Sequence, residues 1–221
     1  MTVKRIVLIR PGETDWNRLG RWQGWVNTPL NELGQLQARA LANYIRNIGM
    51  GALYTSNLKR ALQTAERIAE HLPFEPIADE RLRERSIGLW QGLTRAEMES
   101  WYPEEYAAML SNIDGYRIPG GESRDDVRTR VKAAVSDILG KEQNGTVGIL
   151  SHTTAIKILL SDLIPGYNPL DVDLDNTSVT TIMRKDGSTW ELVAVDDVLH
   201  LENLERRAAR ELEAKRDSGD R

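Results

Sequence analysis

Arg5-Ile6-Val7-Leu8-Ile9-Arg10-Pro11-Gly12-Glu13-Thr14 decides the fold. Its first half is a short β-branched apolar run, as in a strand buried on both faces, and the Pro-Gly pair then breaks it into a loop. Outward from this stretch, strand and helix patterns alternate. After Asn31, a side chain suited to an N-cap, Leu33, Leu36, Ala40 and Tyr44 recur at helical spacing until Gly49-Met50-Gly51 ends the repeat. This predicts an amphipathic helix carrying that apolar stripe. Ala52-Leu53-Tyr54-Thr55 reads as a second strand, and Leu58, Leu62, Ala65, Ala69 and Leu72 as a helix stripe that stops before Pro73.

Further along, Thr94-Arg95-Ala96-Glu97 has the form of a capping box, and Ser123 with Asp126 opens another helix bearing Val127, Val131, Val135 and Ile138. The stretch between them reads as irregular and aromatic-bearing, an insertion near residues 90–120 expected to form a cap. Thr146-Val147-Gly148-Ile149-Leu150 is the clearest internal strand; His152 follows at its carboxyl end, then a helical segment with Ile156, Leu159, Leu160 and Leu163. Ser178 to Met183 and Thr189 to Val195 flank Lys185-Asp186-Gly187-Ser188, which suits a hairpin connection. The alternation predicts an α/β three-layer sandwich: a mostly parallel sheet, helices on both faces and a late β-hairpin at the edge. Residues 1–199 are expected to form the domain, and residues 200–221 a charged tail, helical and fraying.

The 221 residues, 40% hydrophobic and 28% charged, suffice for one good core. Lys and Arg total 29 against 33 for Asp and Glu, a net charge of −4, so nothing draws the chain in bulk to nucleic acid or anionic lipid. An anion site must therefore be built locally. The absence of cysteine excludes disulfides, thiolate zinc sites and thiol nucleophiles, and three scattered histidines, His71, His152 and His200, argue against a metal; no cofactor is expected. With neither a bilayer-length apolar run nor a signal-peptide pattern, no membrane association and a cytoplasmic location are expected. Nothing in the pattern identifies an oligomer interface.

Ligands of open α/β sheets bind beyond the carboxyl ends of the strands, where Arg10, Thr14 and Asn17 follow the first strand and His152 a later one. Arg60 begins the helix after Tyr54-Thr55-Ser56-Asn57 and can point over the same edge. A guanidinium stays protonated and offers a planar fork matched to phosphate oxygens, while the Asn17 amide adds a neutral donor. Taken singly, Arg60 beside Lys59 reads as a solvated helix face, His152 as a cap or core histidine, and Glu84 within Glu80-Arg81-Leu82-Arg83-Glu84-Arg85 as part of an exposed charged loop. Trp22, Trp25, Trp90 and Trp101 could stack on an organic moiety, but core packing is the ordinary job of most tryptophans.

Five ordered motifs carry a family resemblance. Leu8 to Thr14, with Asn17 and Gln23-Gly24 following, resembles the opening signature of the histidine phosphatase superfamily, the phosphoglycerate mutase-like proteins. Ser56 to Ala65 is similar to its second-arginine motif, and Leu82-Arg83-Glu84 with Gly88-Leu89-Trp90-Gln91-Gly92 to its acid-bearing loop; Gly120-Gly121-Glu122-Ser123 and Leu150-Ser151-His152 complete the set. The resemblance implies phosphate-binding roles for Arg10, Asn17, Arg60 and His152, and Glu84 as proton donor to the leaving oxygen. Thr14, Gln23 and Gly24 are expected substrate contacts, and no metal is implied.

The chain departs from this pattern at two places. Thr153 stands where the family commonly has glycine, and Pro11 stands where it has its nucleophilic histidine. A proline amide nitrogen is tied into the peptide, so a covalent phosphohistidine cannot form there. Binding needs no nucleophile, and the expectation is a protein that holds a phosphorylated small molecule or phosphorylated partner, degenerate or weakly active as a phosphatase. The alternative is a working phosphomonoesterase in which water attacks phosphorus directly, assisted by Glu84 or His152.

Overall fold

The computed structural model describes residues 3–143, 145–185, 189–202 and 204. Six strands form one sheet in the order β3-β2-β4-β1-β5-β6, with β1 Arg5–Ile9, β2 Ala52–Thr55, β3 Ile77–Ala78, β4 Thr146–Leu150, β5 Val179–Lys185 and β6 Thr189–Asp197. The first four are mutually parallel; β5 runs antiparallel to β1 and pairs with β6, the antiparallel edge expected from the sequence. The connection at 186–188 and most of the charged tail lie outside the described residues. Because β1 and β4 sit inside the sheet with helices on both faces, they have no solvent side, which explains their unbroken apolar runs.

The helices are α1 Asp15–Arg18, α2 Glu32–Ile45, α3 Lys59–Ala69, α4 Arg95–Trp101, α5 Pro103–Ser111, α6 Arg124–Lys141 and α7 Thr153–Leu163. One face of the sheet packs Val7, Ile9 and Leu53 against Leu41, Ile45, Ala65 and Ile68 of α2 and α3. The other packs Ile6, Leu8 and Ile149 against Val131, Val135, Ile156 and Leu160 of α6 and α7. A third cluster, Ile87, Trp90, Met98, Tyr106, Met109 and Ile118, ties α4 and α5 to the loop after β3. No helix among the described residues is long and apolar enough to cross a membrane.

Asn31 does cap α2, accepting from Gly34 N at 2.8 Å, but the face turned inward is not the expected one. Leu33, Leu36 and Tyr44 are exposed, and Gly34, Gln37, Ala38, Leu41, Ala42 and Ile45 are buried. The reason lies in the loop after β1. A Cβ on Gly34 would fall within 2.8 Å of Glu13 N and closer still to its carbonyl oxygen, and the Gln37 side chain accepts from Glu13 N at 2.9 Å. The helix is rotated so that its smallest residue and its amide meet that loop, and the larger apolar residues stay outside.

The stretch between the two capping boxes is less irregular than its sequence suggests. Both boxes form, at Thr94 and Ser123, and α5 adds a helix with Pro103 in its first turn, where a missing N–H costs nothing. Of the four tryptophans considered for packing, Trp90 alone is core; Trp22, Trp25 and Trp101 are exposed.

Candidate active site

One cavity of about 380 Å³ opens at the carboxyl end of the parallel strands, and it is lined by Arg10, Pro11, Asn17, Gln23, Gly24, Arg60, Glu84 and His152 among others. These residues come from five separate segments of chain. Arg10 leaves β1, Arg60 lies in the first turn of α3 after β2, and His152 is the N-cap residue of α7 after β4. The parallel order of those three strands sends their following loops to one edge, which is how residues about 140 positions apart meet.

Arg60 is only 4% exposed, which corrects the solvated-face reading. It donates from Nη1 to Val26 O and from Nη2 to Gly24 O, both at 3.0 Å, so the loop carrying Gln23 and Gly24 is fastened to α3. Each terminal nitrogen keeps a further N–H for a ligand. Burial pushes its pKa down to about 10, Arg10 adds to that and Glu84 opposes it; the group remains charged at neutral pH. Arg10, lowered chiefly by burial and supported by Glu84 and Asp175, donates from Nη1 to Leu174 O.

Asn17 is set by its neighbour. Its Oδ1 accepts from Thr14 N at 3.0 Å and from Thr14 Oγ1 at 2.9 Å, so the amide nitrogen is the end left to donate. Thr14 itself is fully buried and does not line the cavity; its hydroxyl caps α1, and its link to the cavity is through Asn17. His152 is 3% exposed, with Nε2 2.9 Å from Ser56 Oγ. Burial, then the guanidiniums of Arg60, Arg10 and Arg130, holds its pKa well below the ordinary histidine range, so the ring is neutral.

Glu84 is half-buried and held at both oxygens: Oε1 accepts from Arg85 N at 2.6 Å and Oε2 from Thr154 N at 3.1 Å. The loop around it is not an exposed charged segment. Leu82 is fully buried and Arg85 is 6% exposed. Arg130 of α6 donates to the carbonyls of Arg81, Arg83 and Glu84 at 2.7–2.8 Å and to both oxygens of Glu122 at 2.8 and 2.9 Å. Trp25 Nε1 donates to Glu84 O at 2.6 Å.

Pro11 lies between Arg10 and Gly12 on the cavity wall, and its carbonyl accepts from Thr177 N at 3.1 Å. Gly12 N donates to Thr64 Oγ1 at 3.1 Å. Thr153, the bulkier departure, also lines the cavity. Sequence reading missed the rest of the wall, above all Arg21, Ile87, Met109, Ile113, Arg124 and Asn176. Met109 and Ile113 lie in and after α5, whose helical character the sequence did not reveal; Arg124 opens the helix capped by Ser123, a position that reads only as a helix start. No group of three or more His, Asp or Glu residues able to hold a metal occurs among the described residues.

Residues 6–198 match the model of the histidine phosphatase superfamily (branch 1). Phosphoglycerate mutase-like protein 4 of Arabidopsis thaliana is 36% identical over 200 residues, covering 89% of this chain and 86% of the relative. Phosphoserine phosphatase 1 of Hydrogenobacter thermophilus is 32% identical over 160 residues, 72% of this chain and 76% of the relative. Among solved structures, a mycobacterial glucosyl-3-phosphoglycerate phosphatase in complex with VO3 superposes with a TM-score of 0.79 at 30% identity, covering 88% of this chain and 99% of that one. A phosphoserine phosphatase mutant from Entamoeba histolytica, with a histidine changed to alanine and in complex with phosphoserine, superposes with a TM-score of 0.79 at 30% identity, covering 89% and 98%. With the match spanning the sheet, the flanking helices and all five motifs, this chain belongs to the histidine phosphatase superfamily, branch 1.

Proposed function

We propose that the protein binds phosphate monoesters between Arg10, Arg60, Asn17 and His152, and that Pro11 occupies the nucleophile position, so that the covalent phosphohistidine route does not run. The observation that carries this is the convergence of two arginines, an amide donor and a histidine on one cavity whose wall includes Pro11. Two guanidiniums supply the charge of a dianion's counter-ion, and Asn17 presents its amide nitrogen because Thr14 occupies the oxygen. None of these groups needs to form a bond to phosphorus. The Entamoeba relative, which holds phosphoserine with one histidine changed to alanine, supports binding as separable from a histidine in that protein. Mutase activity by a transferable enzyme-bound phosphoryl group is not part of this reading.

A second reading rests on His152. Its neutral ring lies on the cavity wall, where a ring nitrogen can accept a hydrogen bond from water and orient it toward phosphorus, while burial and the guanidiniums of Arg60, Arg10 and Arg130 oppose full protonation. Glu84, on the same cavity wall, would then assist proton transfer at the leaving oxygen.

Phosphate release from a panel of monoesters, measured for the unaltered protein and for Arg10→Ala, Glu84→Gln and Pro11→His, separates the two. Silence in the unaltered protein with turnover in Pro11→His supports the missing-nucleophile reading. Turnover in the unaltered protein that Arg10→Ala abolishes supports water attack. The pocket reading fails if Pro11→His is silent and calorimetry detects no ester binding.

A further inference from the structure

Among the described residues the backbone is left-handed at two that are not glycine, Thr177 (φ 61°) and Asp196 (φ 51°). That conformation crowds Cβ against the following carbonyl and is an outlier for a β-branched side chain such as threonine, so it persists only where surrounding contacts impose it. Here the contacts converge on residues 174–178, the segment that holds the start of the loop after β1.

Segment 174–178 grips Arg10 and Pro11 at three points. Leu174 O accepts from Arg10 Nη1, Ser178 O accepts from Arg10 N at 3.1 Å, and Thr177 N donates to Pro11 O at 3.1 Å. Asn176, between them, lines the cavity. The segment closes on itself through Ser178 N, which donates to Asp175 O at 3.0 Å. Thr177 is fully buried; its Oγ1 donates to Asn176 O at 2.6 Å and lies 3.0 Å from His200 Nε2.

Asp196 holds this segment from β6. Opposite Val179 to Thr181 of β5, β6 uses one residue more, from Asp197 to Ala194, and the extra residue makes a bulge, a device that re-aims a side chain. The Asp196 carboxylate reaches the segment: Oδ1 accepts from Asp175 N at 2.6 Å, and the Ser178 hydroxyl bonds to it as well. Its own N–H donates to Thr180 Oγ1 at 3.2 Å. Asp196 thus ties both ends of the 175–178 turn, and its charge adds to that of Glu84 and Asp175 in supporting the Arg10 guanidinium. It does not line the cavity.

We infer that Asp196 is a positioning residue for phosphate binding: acting through segment 174–178, it sets where the Arg10 guanidinium meets the phosphoryl group. This inference rests on the phosphate-binding reading of Arg10 and adds to it a residue outside all five motifs.

The test measures the affinity for inorganic phosphate by calorimetry at constant ionic strength. Asp196→Gly keeps the left-handed backbone and removes the acceptor, whereas Asp196→Asn keeps both the backbone and an Oδ1 acceptor and removes only the charge. Asp196→Gly should weaken phosphate binding about tenfold, and Asp196→Asn should restore it to within about threefold of the unaltered protein. In an Arg10→Lys background, which lacks the fork held at Leu174 O, Asp196→Gly should cost less than about threefold, because the group it positions is already gone. The inference is overturned if Asp196→Gly binds within about twofold of the unaltered protein, if Asp196→Asn is as weak as Asp196→Gly, or if the tenfold loss recurs in full beside Arg10→Lys, as a merely structural role requires. Should Asp196→Gly fail to fold, amide exchange in the unaltered protein decides: saturating phosphate should slow the Asp175 and Thr177 amides by about tenfold or more, and unchanged rates overturn the inference. If the unaltered protein binds no phosphate, the reading of Arg10 itself falls, and the role of Asp196 with it.

Discussion

His152 is the residue at which burial and chemistry meet most directly. Its folded pKa is depressed well below the ordinary value near 6.5, first by burial and then by Arg60, Arg10 and Arg130, so below that pH the unfolded chain takes up a proton that the folded site refuses. The contribution is fully present above pH 6.5 and is lost as pH falls, at up to about 1.4 kcal/mol per pH unit. His200, pushed down to about 4 mainly by burial, acts with the same sign between 6.5 and about 4. Urea denaturation of the unaltered protein and of His152→Gln at pH 7.5 and 5.5 should therefore show the smaller loss in the variant. An equal loss in both would mean that His152 titrates normally in the fold. At this scale, the sequence names residue types and their positions but not their surroundings. Arg60 beside Lys59 looks like a solvated pair, and only the carbonyls of Val26 and Gly24, more than thirty residues away, reveal why it is buried.

The acid-bearing loop after β3 depends on an element that contributes nothing to its sequence. Arg130, one helix away, gathers three of its carbonyls and the carboxylate of Glu122, which itself accepts from Ser86 N at 2.8 Å. Arg130→Met should destabilise the protein by about 3 kcal/mol, because it strands a mostly buried carboxylate along with those carbonyls. A thermal midpoint unchanged from the parent would remove the clasp from the account. At the start of the same helix, Ser123→Ala deletes a capping box and should cost about 1 kcal/mol, read from chemical denaturation. Gly34→Ala should cost about 1 to 3 kcal/mol by forcing α2 away from the Glu13 backbone, and phosphate affinity should weaken with it because that loop carries Pro11 and Asn17. Elements with local signals were the legible ones. Capping at Asn31, Thr94 and Ser123 and the apolar runs of β1, β2 and β4 are written in adjacent residues, whereas the two-residue β3 and the inward face of α2 are set by distant partners. A helix stripe of large residues was outvoted by a single close approach at Gly34.

For the whole molecule, the site is an outcome of sheet order. Parallel pairing of β1 and β4, and of β4 and β2, brings three strand ends and three following loops together, so ligand binding should stabilise the entire fold. At a phosphate concentration a hundred times its dissociation constant the gain is about 2.7 kcal/mol. It should appear as a rise in the thermal midpoint at constant ionic strength that Arg10→Ala loses; a rise of equal size in that variant would assign the effect to the bulk salt. Motif order along the chain made this convergence readable, while Met109 and Ile113 on the cavity wall remained hidden because α5 carries no clear periodic signal. The same topology governs how the protein is made. Arg5 is in register with Thr146 and Ile9 with Val179. At about 5 to 20 residues per second, the nascent chain's first strand therefore waits roughly 7 to 28 seconds for β4 and about 9 to 34 seconds for β5 to be synthesised. Throughout that interval its apolar edges are open to a chaperone or to another unfinished copy.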